Sequence, residues 1–284
     1  MKTARRKMFR FRFSLPGAAL VLGTFFAAAA HGQRIAVITP QPDAVSLTFS
    51  EDFAAGLDGG FKILDRSMTE TAYESSKPAT PFNMTAAEAK SAALVIGCDA
   101  FILLRVETIR RSSFDRPEYY ESVAAIYGVS GRTGELLFWD LASFEAADQS
   151  AAESLRLASA KALGHSTGER IKTARPIEVR PSLEETPGMG AGETKPPVPY
   201  RRIKPEYTRT AYLYGVRATV DIEADIDESG KITRTAIVRW AGYGLDESVA
   251  AAVKSMNWRP AMRGAKPLPM RVLLRYNFTK VEKE

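Results

Sequence analysis

Residues that usually carry chemistry are scarce in this 284-residue sequence, which contains one cysteine and two histidines. His31 lies in an apolar N-terminal stretch, and His165 follows Gly164 at the predicted end of a helix, where a capping or solvent-facing role is expected. No Ser/His/Asp or Cys/His set and no His/Cys metal cluster can be assembled from so few groups. The sequence therefore predicts a protein that is not an enzyme, with no catalytic residue, no metal and no cofactor.

A single cysteine also excludes an internal disulfide. Cys98 stands between Gly97 and Asp99, at the start of an apolar run. These surroundings are typical of a small buried hydrophobic residue rather than of a reactive thiol.

Acidic residues are missing from the first 33 positions, which hold six basic residues, and the net charge of the whole chain is +6. The rest of the chain therefore holds 33 basic against 33 acidic residues. Because the excess charge is confined to the N-terminal stretch, the sequence predicts no nucleic-acid partner.

Residues 1–32 have the form of a secretory signal: a basic start, an apolar stretch and a pair of small residues, either Ala28 and Ala30 or Ala30 and Gly32. The alternative is an uncleaved inner-membrane anchor, because residues 13–33 are uncharged and about long enough to cross ~30 Å of hydrocarbon. Pro16 interrupts that stretch and favours cleavage and export. No cysteine stands at the cleavage point, which argues against a lipoprotein anchor.

Strand-like and helix-like segments alternate through residues 33–174, which predicts an N-terminal α/β layered domain. Asn83 or Thr85 is the expected N-cap of one helix. The predicted strands cover residues 35–38, 61–64 and 101–106, a hairpin joins residues 123–129 to 135–140, and helices cover residues 86–94 and 151–163.

Residues 175–199 contain six prolines and three glycines, which predicts a linker that positions two domains loosely. Its glycine-rich part, residues 188–192, lacks the preceding strand and following Lys-Ser/Thr of a phosphate loop. The two flanking domains carry opposite net charge, which would favour docking, although scattered surface charge explains it more simply.

The clearest pattern lies in residues 200–284, where strand, hairpin, helix and strand follow one another. Residues 216–226 alternate apolar and polar, a turn at 227–230 follows, and residues 232–240 form the returning strand. One apolar face marks a helix over residues 245–256, and residues 270–278 alternate again. This order predicts a three-stranded antiparallel sheet backed by a helix.

Acidic residues on the first of these strands have ordinary explanations. Asp221, Glu223 and Asp225 occupy adjacent outward positions and are expected to form a solvated face. Asp225 and Gly230 also belong to the first half of an EF-hand-like series, but Ala236 stands where a bidentate Glu is required, so a hairpin turn is the better interpretation.

A series of residues runs in order through the last eighty or so positions: Pro205, Tyr207, Ala211, Gly215, Gly230, Leu245, Pro260, Gly264, Lys266, Pro267 and Phe278. With this series, the segment resembles the C-terminal domain of the TonB family. Thr208 departs from the family pattern, which has Pro there, and Met256 stands where an aromatic residue is usual.

The resemblance implies a periplasmic protein that grips an extended peptide of an outer-membrane TonB-dependent receptor by strand addition, in energy-dependent transport across the outer membrane. An inner-membrane motor complex would be a further partner. The peptide would lie beside the last strand, whose residues are Arg271, Val272, Leu273, Leu274, Arg275, Tyr276, Asn277 and Phe278.

Two roles are open for the polar residues of that strand. Arg271, Arg275 and Asn277 could discriminate among partners, or the arginines could protect an exposed edge from aggregation. Proline at Val272 is expected to abolish peptide capture.

Residues 34–172 resemble the N-terminal module of periplasmic curli-secretion and TolB-like proteins. The resemblance is carried by the opening strand from Arg34, the block at residues 61–67, the stretch at 97–104 and the closing turn at 131–135. It implies a fold and an envelope setting without a site.

A second function is a periplasmic adaptor or scaffold that binds envelope proteins without energy transduction. By resemblance, energy transducers keep a membrane helix with Ser and His one turn apart, followed by a long proline-rich strut. Ser14 and His31 are far apart here, and a folded domain replaces the strut.

Overall fold

The structure, a computed structural model, describes residues 32–57, 60–76, 78–174, 183 and 194–279. The predicted signal up to residue 31 and most of the predicted linker, including its glycine-rich part, lie outside the described residues. The described chain is mixed α+β, with an N-terminal α/β layered half and a C-terminal antiparallel half.

The N-terminal half contains one five-stranded sheet with helices on both faces. Its elements are β1 (Arg34–Ile38), α1 (Ala44–Gly56), β2 (Lys62–Ile63), α2 (Arg66–Ser76), α3 (Ala86–Ile96), β3 (Ala100–Arg111), β4 (Tyr119–Ser130), β5 (Leu136–Ala146) and α4 (Gln149–Thr173).

The strand order of this sheet is β2-β1-β3-β4-β5. β1 is parallel to β2 and β3, whereas β3, β4 and β5 form an antiparallel meander. Ile35 and Val37 face the side covered by α1 and α4, while Ala36 and Ile38 face α2 and α3. Alternate residues of β1 are therefore buried on opposite faces, as expected for a strand between two helical layers.

Local signals explain α3 and the N-terminal end of α4. Thr85 caps α3 and exchanges hydrogen bonds with Glu88 in a capping box, so the prediction of a cap at Thr85 is confirmed. Asp148 caps α4 by accepting a hydrogen bond from the backbone N–H of Ala151.

α4 runs ten residues beyond its predicted end at residue 163, so the prediction that His165 lies at a helix end is wrong. The neighbouring Gly164 was mistaken for a stop signal, but it serves helix packing. A Cβ there would come within 2.1 Å of the Phe53 carbonyl oxygen on α1, so only glycine lets the two helices approach this closely.

The C-terminal half consists of short strand pairs around a three-stranded sheet. Its elements are β6 (Thr194–Lys195), β7 (Val198–Pro199), α5 (Arg209–Leu213), β8 (Ala218–Ile226), β9 (Ile232–Arg239), α6 (Leu245–Lys254), β10 (Trp258–Arg259), β11 (Ala261–Arg263), β12 (Lys266–Leu268) and β13 (Met270–Phe278).

The predicted hairpin, helix and third strand are all present, in a sheet of order β13-β8-β9. The turn between β8 and β9 is held by Asp227, whose Oδ1 accepts hydrogen bonds from the backbone N–H groups of Ser229 and Lys231. Gly230 has a φ of 81°, which favours glycine. The hairpin interpretation of these residues is confirmed.

The end of the predicted linker is part of the C-terminal fold. β6 pairs with β11, and β7 pairs with β10. Backbone pairing of this kind depends on strands far away in sequence, so the proline content of the segment did not reveal it.

The two halves pack against each other instead of being loosely positioned, and all described residues belong to one compact unit spanning residues 32–284. A single hydrophobic cluster runs through both halves. At its centre Trp240 is fully buried, 5.8 Å from the Tyr127 ring, and its Nε1 donates a hydrogen bond to the carbonyl oxygen of Gly134. Apolar burial, rather than opposite net charge, accounts for this docking.

Asn83, in the N-terminal half, makes hydrogen bonds to the C-terminal half through both the nitrogen and the oxygen of its side-chain amide. Its Nδ2 donates hydrogen bonds to the carbonyl oxygens of Thr219 and Trp240, at 2.8 and 2.7 Å. Its Oδ1 accepts a hydrogen bond from the backbone N–H of Thr219 at 2.9 Å. Because the three hydrogen bonds of this amide can form together at only one relative position of the two sheets, they help to fix that position.

A strained loop precedes α6. Gly242, Tyr243 and Gly244 all have positive φ, and Tyr243 is the non-glycine residue among them. The loop is held by Asp246, whose carboxylate accepts hydrogen bonds from the backbone N–H groups of Ala241 and Gly242. Burial raises the pKa of Asp246 to about 7, although these N–H donors act in the opposite direction.

Asp246 is expected to make stability fall as pH rises. Because its pKa is higher in the folded than in the unfolded protein, the folded state binds more protons between about pH 4 and pH 7. Relative to Asp246→Asn, the wild-type protein should lose about 3–4 kcal/mol of unfolding free energy over that interval. Urea unfolding of both proteins at several pH values measures this difference, and a difference independent of pH would contradict the expectation.

No helix in the described part of the chain is both long enough and apolar enough to cross a membrane.

Candidate functional site

β13 forms an edge of the C-terminal sheet. Nine consecutive residues of β13 pair with β8, from Met270 opposite Ile226 to Phe278 opposite Ala218. Within the described residues no strand pairs with the other side of β13. The backbone groups on that side are therefore placed to accept a further strand.

The core-facing residues of β13 alternate as the sequence predicts. Met270, Val272 and Phe278 are buried, and Leu274 and Tyr276 pack partly against the same core. This attachment makes β13 a rigid part of the domain rather than a frayed terminus.

On the opposite face of β13, two arginines form ion pairs with aspartates of the neighbouring strand β8. Arg271 donates two hydrogen bonds to Asp225, at 2.6 and 3.0 Å, and Arg275 donates two to Asp221, at 2.7 and 2.9 Å. Bidentate pairs of this geometry are stronger than single hydrogen bonds. Arg239 on β9 also approaches Asp221, so that carboxylate links three strands.

The expectation that Asp221 and Asp225 form a solvated face is wrong, since each is only 3% exposed. The arginine side chains that cover them come from strands remote in sequence. Their burial could not be read from the alternation of β8 alone.

These pairs leave the two arginines in different surroundings. The Arg271 side chain is 12% exposed, whereas that of Arg275 is 58% exposed. Hydrogen bonding to Asp221 raises the pKa of Arg275, so it stays charged. Arg275, Asn277 and Leu273 are thus the exposed side chains of the strand, and Leu273 is an apolar one at 59% exposure.

An aromatic groove of about 520 Å³ adjoins the C-terminal end of β13. Tyr207 stacks on Phe278 with 6.1 Å between ring centroids, and Tyr212 meets Tyr207 edge-on at 6.5 Å. Tyr276, Pro205 and the polar residues Lys204, Asn277 and Thr279 complete its lining. In the sequence, Tyr207 stands out only as a marker of the family resemblance and Tyr212 does not stand out at all, because the wall of a groove has no periodic pattern.

β9, at the other edge of the sheet, is covered at its end by the N-terminal half. Thr85 forms an antiparallel bridge with Arg239, and the backbone N–H of Trp240 donates to the carbonyl oxygen of Met84. The two edges of the sheet are therefore not equivalent, and β13 is the more open one.

Neither the cysteine nor the metal-ligating side chains of the described residues form a competing site. Cys98 is buried, as predicted, and burial raises the pKa of its thiol to about 12, which keeps it protonated and unreactive. Among the described residues no group of three or more His, Cys, Asp or Glu side chains is arranged to hold a metal ion.

Comparisons with known proteins identify the C-terminal half. Residues 203–279 match the family described as Gram-negative bacterial TonB protein C-terminal. No curated protein matches the chain significantly.

The solved structures that are similar to parts of the chain include three from different bacteria. The TonB C-terminal domain of Pseudomonas aeruginosa is 22% identical, covering 34% of this chain and 94% of its own, with a TM-score of 0.27. A hypothetical protein of Chlamydia trachomatis (8% identity, TM-score 0.35) and a lipoprotein of Neisseria meningitidis (16% identity, TM-score 0.32) each cover 50% of this chain and 99% of their own. The predicted relation of residues 34–172 to curli-secretion and TolB-like modules is not tested by these matches and stays a prediction.

Proposed function

The C-terminal domain belongs to the TonB C-terminal family, and on that premise we propose that this protein binds an extended peptide of an outer-membrane transporter in the bacterial envelope. Domains of this family are protein-interaction domains rather than enzymes. The observation that carries the proposal is the edge of β13 that no described strand covers, which lies beside an aromatic groove.

Strand addition to β13 would use backbone hydrogen bonds for affinity and side-chain contacts for specificity. β13 is nine residues long, enough to pair with a typical strand of about five or six residues. One end of such a peptide would reach the groove between Tyr207 and Tyr276, where an apolar or aromatic side chain fits.

Charge would contribute near the middle of the strand. Arg275 remains largely exposed while bound to Asp221, so an acidic residue of the peptide could share its guanidinium group. Arg271 is more deeply engaged with Asp225 and serves mainly to fix the strand. Discrimination among partners is therefore assigned to Arg275, Asn277 and the groove.

The same peptide binding could serve two functions. In the first, the protein couples an inner-membrane motor complex to transport across the outer membrane. In the second, it is a periplasmic adaptor without energy input. The second is favoured by the shared core, because the N-terminal half is fixed to the peptide-binding half as one body.

Site-specific photo-crosslinking in native cells tests the proposal. A photo-reactive phenylalanine analogue replaces Leu273 on β13, and a matched control replaces Thr233, an exposed residue of the opposite edge strand β9. We expect a crosslink to an outer-membrane transporter from position 273 and none from position 233. Equal crosslinking from both positions would refute β13 as the binding edge.

A protonophore separates the two functions. If transport through the crosslinked transporter needs this protein and stops when the proton gradient collapses, the protein is an energy transducer. If the crosslink persists in the presence of the protonophore, and transport is unchanged in a separate strain that lacks this protein, the protein is an adaptor.

A further inference from the structure

The short strand pairs of the C-terminal half carry a concentration of exposed basic side chains. β6 pairs with β11 and β7 pairs with β10, so residues 194–203 and 257–269 lie side by side. Neither of these two segments contains an acidic residue. Together they form what we call the basic surface, whose six basic residues are all exposed: Lys195, Arg201, Arg202, Arg259, Arg263 and Lys266.

Most of this positive charge is not neutralised by ion pairs. The arginines of β13 in the same half are different, because Arg271 and Arg275 each pair with an aspartate. Among the described residues, no carboxylate forms an ion pair with the following members of the basic surface: Lys195, Arg201, Arg202, Arg259 and Lys266. Their charge is therefore available to an anionic partner.

The β8–β9 turn brings two acidic residues close to the basic surface without balancing it. This turn packs against β10, since a Cβ on Gly230 would come within 2.0 Å of the Trp258 carbonyl oxygen. Its acidic residues are Asp227 and Glu228, and the Asp227 carboxylate accepts hydrogen bonds within the turn itself. The basic residues still outnumber these acidic ones by six to two.

Exposed apolar side chains accompany the charge. Val198 lies directly opposite Arg259 in the β7–β10 pair, so their side chains share one face. The Arg259 guanidinium lies over the Tyr200 ring, 5.4 Å from its centroid. Val198 is 54% exposed and Tyr200 is 67% exposed. Tyrosine is enriched where a protein meets the membrane–water interface, and basic residues together with apolar ones are typical of segments that lie in that interface.

We propose that the basic surface docks on a membrane that carries anionic phospholipid headgroups. Each basic residue close to such a membrane contributes about a fivefold factor in affinity. The phenol of Tyr200 and the side chain of Val198 would enter the headgroup region, where an aromatic ring with a polar tip is favoured. An acidic protein would have to supply matching apolar groups at fixed positions, whereas a membrane supplies both kinds of contact across the whole face.

The charge of the rest of the chain orients the docking. Residues 34–284 carry equal numbers of basic and acidic residues, so the excess of positive charge on this surface is offset by negative charge elsewhere. An anionic membrane therefore attracts this side of the protein and repels the more acidic parts. No residue of β13 belongs to the basic surface, so membrane docking and peptide binding can succeed or fail independently.

Co-sedimentation with lipid vesicles tests the proposal. The protein used is residues 32–284, which form one compact unit, because the basic N-terminal stretch would itself bind anionic lipid. One set of vesicles contains equal amounts of phosphatidylglycerol and phosphatidylcholine, and the other contains phosphatidylcholine alone. We expect binding to the mixed vesicles only. Binding should weaken as salt rises, because the screening length falls from about 10 Å at 0.1 M to about 3 Å at 1 M salt.

Two variants measure the contributions of charge and of the aromatic ring. Arg201→Ser combined with Arg259→Ser should weaken binding to the mixed vesicles by about tenfold or more. Tyr200→Ala should weaken it by a smaller factor. Circular dichroism checks that each variant is folded, and Arg201→Ser alone keeps the test available if the double variant is not.

Matched controls remove the same groups from the N-terminal half. Lys90→Ser combined with Arg132→Ser removes two exposed positive charges, as the double variant of the basic surface does. Phe114→Ala removes an aromatic side chain that is fully exposed on the β3–β4 connection. Both controls should leave vesicle binding unchanged, because only the basic surface faces the membrane.

Three results would overturn the proposal: no binding to the mixed vesicles at low salt, equal binding to the phosphatidylcholine vesicles, or equal losses in the variants and their controls. A fourth would replace the membrane by another partner. If poly-L-glutamate bound more tightly than the mixed vesicles at the same concentration of negative charge, the basic surface would be assigned to an acidic protein instead.

Discussion

Trp240→Ala is expected to lower the free energy of unfolding by about 3–5 kcal/mol, the usual cost of removing a large buried aromatic side chain. Trp240 is fully buried between the two halves, and its indole N–H is bonded to Gly134. A loss of this size is a large part of the total stability of a typical domain, about 5–15 kcal/mol. Urea unfolding followed by circular dichroism measures it.

The consequence for cooperativity is equally specific. In the wild-type protein the shared core should make both halves unfold in one transition, whereas the variant should show proteolytic cleavage between them before global unfolding. Tyr200→Ala, which removes an aromatic residue that is 67% exposed, is the control and should change stability little. A Trp240→Ala protein within about 1 kcal/mol of wild type would show that the interface contributes little.

Proline in β13 is expected to abolish peptide binding. Successive N–H groups along a strand point to opposite edges, so of Val272 and Leu273 one donates towards β8 and the other towards the open edge. Proline at either position removes the N–H group of that residue, so one variant loses a hydrogen bond to β8 and the other loses a donor at the open edge. Val272 is also buried, so Val272→Pro should lower stability as well, whereas Leu273 is mostly exposed.

For the two proline variants, photo-crosslinking from position 277 measures peptide binding, and circular dichroism measures whether the protein is folded. The expected result is complete loss of the crosslink in Leu273→Pro, while Leu273→Ala keeps it. A proline variant that remains folded and still crosslinks to the same extent would exclude β13 as the docking edge.

Sequence patterns predicted the C-terminal sheet well because its signals are local. The alternation of residues 270–278 and the turn at Gly230 depend on neighbours along the chain, and both appear in the structure. Helices α1 and α2 were missed for a related reason. α2 is amphipathic, but it is polar on average and buries only Thr69 and Tyr73, so its narrow apolar face is easily overlooked in the sequence.

The contacts that join the halves could not be predicted, because they connect residues far apart in sequence. Asn83 appeared only as a candidate helix cap, yet its amide binds Thr219 and Trp240, 136 and 157 residues away. The burial of Asp221 likewise depends on Arg275, 54 residues later. One sequence without its relatives gives no measure of such pairings.

The long register between β13 and β8 also determines how the C-terminal domain would respond to tension. Antiparallel ladder bonds run perpendicular to the strands, so a pull along β13 loads its nine residue pairs together in shear. A pull across the strand would instead unzip them one after another. The Arg271–Asp225 and Arg275–Asp221 pairs connect the same two strands at two further points. A partner strand aligned with β13 would therefore pull along the strand, the direction in which the domain resists force best.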